Sequence, residues 1–190
     1  MAHHNIIKAN SYDNLARRLN IFPQGAPPTE FLFKILKVLF SEREARLVSV
    51  LPVKPFTDQK AAAIWKLNLN EAEVVLNDLA DRGILLDYEN DGKKTYLLPP
   101  PMAGFFEFSL MRYRKDIDQR FLSELFYQYL NIEEDFIKAL FVDGETQLGR
   151  VFVNESVLSN ENALHVLDYE KASEVIKTAS QIGIGVCYCR

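Results

Sequence analysis

Between Thr57 and Leu98 the order of local signals admits few folds. Thr57 reads as the N-cap of a short helix through Ala61-Ala62-Ala63-Ile64-Trp65, and Lys66 to Asn70 makes a turn. A second helix is predicted from Glu71 to Arg82, with Leu69, Ala72, Leu76 and Leu79 on one stripe, and Gly83 ends it in the position where a left-handed residue is wanted. Two short strands, Ile84 to Glu89 and Thr95 to Leu98, are then joined by Asn90-Asp91-Gly92-Lys93, whose Asp-Gly step is a strong hairpin signal. Helix, turn, helix, hairpin is the order of a winged-helix unit.

The residues before this unit supply helical support for it. Ser11 to Asn20 carries Leu15, Ala16 and Leu19 at helical spacing with Arg17 and Arg18 outside, and Phe22 to Pro28 is a proline-glycine break. Thr29 is placed to cap a helix over Glu30 to Phe40 that is apolar almost all round, apart from Lys34 and Lys37, and so belongs at the centre. Ser41 with Glu44 forms a capping-box pattern that opens a third helix, which carries Ala45, Leu47, Val48 and Leu51 and stops before Pro52 and Pro55.

Pro99-Pro100-Pro101 cannot continue a strand and marks the expected boundary between a helical and winged-helix domain, 1–98, and an α+β domain, 99–190. The expected fold class is therefore α+β and mostly helical. Met102 to Met111 fits both periods and is assigned to helix, with its apolar residues either core or docking surface. Asp116 to Leu130 is a predicted amphipathic helix with Ile117, Phe121, Leu125 and Tyr129 inward. Asn131 and Glu134 resemble a cap for a helix through Phe136, Ile137, Leu140 and Phe141. Strands are expected at Leu148 to Val153 and Ala163 to Leu167. A helix capped by Asp168 is expected over Tyr169 to Gln181, with Ala172, Val175, Ile176 and Ala179 facing the core, and a last strand over Gly183 to Cys189.

Charge narrows the function. The net charge is -4 with pI near 5.5, and over Thr57 to Leu98 eight acids oppose five bases. The helix that would enter a major groove carries Glu71, Glu73, Asp78 and Asp81 against Arg82, and the wing offers Lys93 and Lys94 for phosphate. Nucleic acid is thus not the expected partner, although a winged-helix DNA-binding regulator, redox-sensing through its cysteines, is the alternative function. No apolar run approaches the roughly 20 residues of a membrane span, and Met1 to Asn5 is no export signal, so a cytoplasmic protein without membrane contact is expected. His3 and His4 sit in the N-terminal tail, His165 is isolated among apolar neighbours, Glu133-Glu134-Asp135 suit the first turn of a helix, and no familiar catalytic motif is present.

The two cysteines, Cys187 and Cys189, stand in Gly183-Ile184-Gly185-Val186-Cys187-Tyr188-Cys189-Arg190. In a strand both sulfurs would share a face, about 6.6 Å apart at Cα, which suits a buried pair, a redox dithiol or half of a zinc or iron-sulfur site. The stretch Leu98-Pro-Pro-Pro-Met-Ala-Gly-Phe-Phe-Glu-Phe-Ser-Leu-Met-Arg112, with Glu145-Thr-Gln-Leu-Gly-Arg-Val-Phe152, Val166-Leu-Asp-Tyr-Glu170 and Gly185-Val-Cys-Tyr-Cys-Arg190, resembles the N-terminal region of bacterial 4Fe-4S ferredoxin-type cluster-binding proteins. Asn14-Leu-Ala-Arg-Arg18 and Phe22-Pro-Gln-Gly-Ala-Pro27 resemble theirs as well. In that group C-x-C-R is followed by further cysteines and a ferredoxin-like dicluster segment. The resemblance implies electron transfer, makes Cys187 and Cys189 two of the ligands of a 4Fe-4S cluster, and makes this chain the cluster-poor front half of a longer protein. The implied partners are a redox protein or the missing C-terminal cluster domain. A [4Fe-4S] cluster takes four thiolates, so none is expected on this chain alone.

Overall fold

The structure is a computed structural model and describes residues 10–22, 24–90, 92–111, 113–142 and 169–185. The described chain is mostly helical, with one two-stranded antiparallel sheet. None of its helices is long and apolar enough to cross a membrane.

Local signals set the first three helices. α1 (Ser11–Leu19) opens on a capping box in which Asn10 accepts from the backbone N–H groups of Tyr12 and Asp13 and the Asp13 carboxylate accepts from the Asn10 N–H. α2 (Glu30–Leu39) is capped by Thr29 and buries Leu32, Ile35, Leu36 and Leu39. α3 (Glu42–Ser49) opens on the expected Ser41–Glu44 box. α1 packs against α3. Arg18, expected outside, is 4% exposed: its Nε donates to the Leu51 carbonyl at 2.8 Å and its Nη2 to that of Pro52 at 2.6 Å. Leu51 and Pro52 follow the C-cap of α3, so Arg18 ties α1 to the loop that leaves that helix by donating to its buried carbonyls.

α4 (Asp58–Trp65) is capped by Thr57 and α5 (Leu69–Asp81) by Asn68, so α5 begins two residues before the expected Glu71. The turn between them holds Lys66 in the left-handed region at φ 56°. α5 ends in a Schellman arrangement, Gly83 N–H donating to Ala80 and Ile84 N–H to Leu79, with Gly83 at φ 72°. β1 (Leu86–Asn90) and β2 (Lys93–Leu97) then pair antiparallel in the register Leu86 with Leu97 and Asn90 with Lys93. Ile84 and Leu85 precede the strand and are buried.

Past the prolines the chain turns back on the same core. A Cβ on Gly104 would sit 2.6 Å from the Pro100 carbonyl oxygen and 2.7 Å from Pro99, so this tight return is open only to glycine. The ambiguous segment yields a four-residue helix, α6 (Phe105–Phe108), and two of its three phenylalanines are core: Phe105 meets Phe40 edge-on at 5.8 Å, and Phe106 lies among Phe105, Phe126, Tyr129 and Phe136. One cluster of buried residues therefore contains Leu15, Leu36, Leu76, Phe106 and Phe136 together.

The helix expected over Asp116 to Leu130 is shorter, and of its expected inward residues Leu125 and Tyr129 are buried. Asp118 caps α7 (Gln119–Tyr127), which leaves Ile117 outside, and a π-helical turn (Gln128–Ile132) follows. Leu122, Leu125 and Phe126 are buried against α2 while Phe121 is 45% exposed. Asn131 binds the Tyr127 carbonyl within that turn rather than capping α8 (Glu134–Phe141), whose N-cap is Glu133. α9 (Tyr169–Thr178) exposes Val175 and Ile176, at 58% and 60%, where the period placed them inward. The expected strands Leu148 to Val153 and Ala163 to Leu167 lie outside the described residues.

Candidate functional site

The region that the charge argument singles out is built from α4, α5 and the hairpin. Phe56, just ahead of α4, forms an antiparallel bridge with Tyr96 of β2, each N–H donating to the other's carbonyl at 2.9 and 2.8 Å, and the two rings stack at 6.3 Å. A short strand position, two helices and a hairpin thus close on one another. Trp65 at the end of α4 donates from Nε1 to the Leu47 carbonyl at 2.9 Å and fixes the pair to α3.

α5 buries Ala72, Leu76 and Leu79 and turns Glu71, Val74, Asn77, Asp78 and Asp81 to solvent. Its cation is committed elsewhere. Arg82 pairs with Glu44 and, at 2.8 Å, with Asp78, and donates from Nη1 to the Leu39 carbonyl. Lys94, half of the hairpin's basic pair, lies 2.9 Å from the Asp87 carboxylate and 2.7 Å from Asn77 Oδ1, above the Tyr96 ring. Tyr96 donates its hydroxyl to the same Asn77 oxygen at 2.9 Å. The hydrogen bond with Asp87 raises the Lys94 ammonium above its ordinary value. The Asp58 carboxylate at the start of α4 stands near Glu73 of α5 and raises the Glu73 carboxyl above its ordinary value. The surface is acidic and partly apolar, and two of the unit's five cations are held by its own carboxylates.

Cys187 and Cys189 lie outside the described residues, as do His3, His4 and His165. Of the expected strand over Gly183 to Cys189, Gly183 to Gly185 are described and are not in a strand. They border a groove of about 390 Å³ together with Leu85, Leu86, Phe108 and Met111. The chain thus reaches the base of the hairpin two residues before its first cysteine. Among the described residues no three His, Cys, Asp or Glu side chains gather as a metal site. Glu133 accepts from the Thr29 hydroxyl at 2.6 Å, and Glu134 and Asp135 occupy the first turn of α8, so the acidic triplet is accounted for by helix structure.

No family model matches the chain, and neither a curated protein nor a solved structure does. The functional reading therefore stands on the residues themselves.

The groove and the Lys94 clamp were beyond sequence reasoning. Asn77 is seventeen residues from Lys94, and no period or motif links them. The one available signal was the placement of Asp87 and Lys94 on neighbouring strands with a short turn between, which allows a cross-strand pair.

Proposed function

We propose that α4, α5 and the β1–β2 hairpin form a winged helix that contacts protein, within the N-terminal scaffold of a 4Fe-4S electron-transfer protein to which Cys187 and Cys189 contribute two ligands. The clamp on Lys94 carries the protein-contact part. A wing that reads nucleic acid offers its cations to phosphate, whereas Asp87 and Asn77 already hold this one, beside a helix face of Glu71, Asp78 and Asp81. Such a face suits a basic protein surface with apolar contact at the exposed Val74. The cysteine pair and the resemblance around it support the iron-sulfur part. Two thiolates do not complete a four-thiolate site, so no electron-transfer step is assigned to this chain by itself.

Two measurements separate this reading from a DNA-binding regulator. In a mobility-shift assay at low salt the protein is expected to leave duplex DNA unshifted, and a salt-dependent shift would establish the regulator instead. The reading frame of the gene past Arg190 is expected to encode further C-x-x-C clusters. Anaerobic iron and sulfide reconstitution of that longer product should give broad visible absorption that Cys187→Ser and Cys189→Ser diminish; unchanged cluster content in both variants removes the ligand assignment.

A further inference from the structure

A groove of about 560 Å³ lies between α2 and α7, away from α4, α5 and the hairpin, and its lining includes Phe31, Lys34, Phe121, Glu124, Tyr127 and Gln128. Two of its rings are wet: Phe121 is 45% and Tyr127 57% exposed, while α7 turns Leu122, Leu125 and Phe126 to the core. Large apolar groups left in water beside a groove mark a contact surface. The π turn opens at Gln128 in the groove wall, and such turns occur frequently at functional sites. The two walls differ in charge. On the α2 side Lys34 stands over the Phe31 ring, 4.9 Å from its centre, and pairs with Glu30 at 2.6 Å. On the α7 side Glu124 pairs with Arg120 at 3.3 Å. Both pairs join exposed side chains one helical turn apart, so each is worth little and its members are free to change partners.

From this we infer that the α2–α7 groove is a two-fold interface between two copies of this chain. Charge selects the occupant. Glu30 and Glu124 stand against Lys34 and Arg120, so the patch has no net charge, and a strongly acidic or basic partner would meet its own sign on both walls. A two-fold axis lying along the groove turns the α2 wall of each copy onto the α7 wall of the other. Lys34 then faces Glu124 of the second copy, twice over, and Phe31 faces Phe121. An axis across the groove would instead lay each wall on its own like and oppose equal charges. The exposed α5 face fits a second copy worse, because Glu71, Asp78 and Asp81 would meet themselves.

The inference goes beyond the reading of α4, α5 and the hairpin and uses none of their residues, so either can fail without the other. Sedimentation velocity of the full chain at low salt, from about 1 to 500 µM, is expected to show a mass rising from 21.8 kDa toward twice that value. Phe121→Asp should weaken the dimer about tenfold or more, with its far-UV circular dichroism unchanged. Lys34→Glu and Glu124→Lys should each weaken it about fivefold, and the two together should return it to within about twofold of the parent. The charge exchange touches only exposed side chains and decides the matter if Phe121→Asp unfolds. A monomer at every concentration, a dimer that a folded Phe121→Asp leaves unaltered, or a double variant no tighter than the single ones would each overturn the interface.

Discussion

Gly83 carries two demands at once. Its φ of 72° ends α5, and a Cβ there would stand 2.9 Å from Phe108 Cβ, where the returning chain crosses the helix end. Gly83→Ala should therefore lower stability by roughly 1–3 kcal/mol, combining left-handed strain with displacement of Phe108, as read from urea midpoints. Glu44 makes a pH-dependent contribution. Burial pushes its carboxyl up, but hydrogen bonds from the Ser41 backbone and hydroxyl and the nearby Arg82 outweigh this and hold it below the ordinary 4.5. The sign follows from linkage: the unfolded carboxyl takes a proton first, so the contribution is full above the ordinary value and is lost as pH falls through the lowered one. Stability measured between about pH 6 and pH 3 should fall less steeply in Glu44→Gln than in the parent, and parallel curves would contradict the assignment.

At the level of elements, the hairpin is joined to the rest of its unit through few contacts. The Phe56–Tyr96 bridge holds the inner side of β2, and Asn77 on α5 receives both the Lys94 ammonium and the Tyr96 hydroxyl. Asn77→Ala removes the shared acceptor from a buried phenol and should cost about 1–2 kcal/mol. The loss should appear first as faster amide exchange in β1 and β2, with α1 to α3 less affected; uniform acceleration throughout would show that the hairpin does not open by itself. α7 is shorter than its period suggests. Asp118 caps it, Leu122, Leu125 and Phe126 form its buried face, Ile117 packs on the core from ahead of the helix, and the π turn carries Tyr129 to the Pro27 carbonyl at 3.0 Å.

Across the molecule, Phe106 links what lies before and after the proline run. It is fully buried among four aromatic rings, one of them Phe105, which in turn meets Phe40 of the early helical segment. Phe106→Ala should cost about 3–5 kcal/mol through lost burial and an unfilled cavity. Trp65, the chain's single tryptophan, reports on the α3–α4 side, and far-UV circular dichroism on all helices. Their unfolding curves should shift together in the variant; a tryptophan transition that stays in place would mean that the core opens in two steps.

Caps, turns and termini were legible before any contact was known, because each is decided within a few residues. Ser41 and Glu44, Thr29, Thr57, Gly83 and Gly92 all act on the backbone at or beside their own positions in the chain. The sequence by itself thus determined a mostly helical chain with one hairpin, the order of its first five helices, and an acidic α5. The tertiary structure alone decided which polar groups are committed and which apolar ones are wet. Arg18 is buried because it donates to the carbonyls of Leu51 and Pro52, thirty-three and thirty-four residues away, and Lys94 is taken by an asparagine seventeen residues earlier. Val175 and Ile176 obey a helical period and still face solvent, since a period says which residues share a face and not what that face meets.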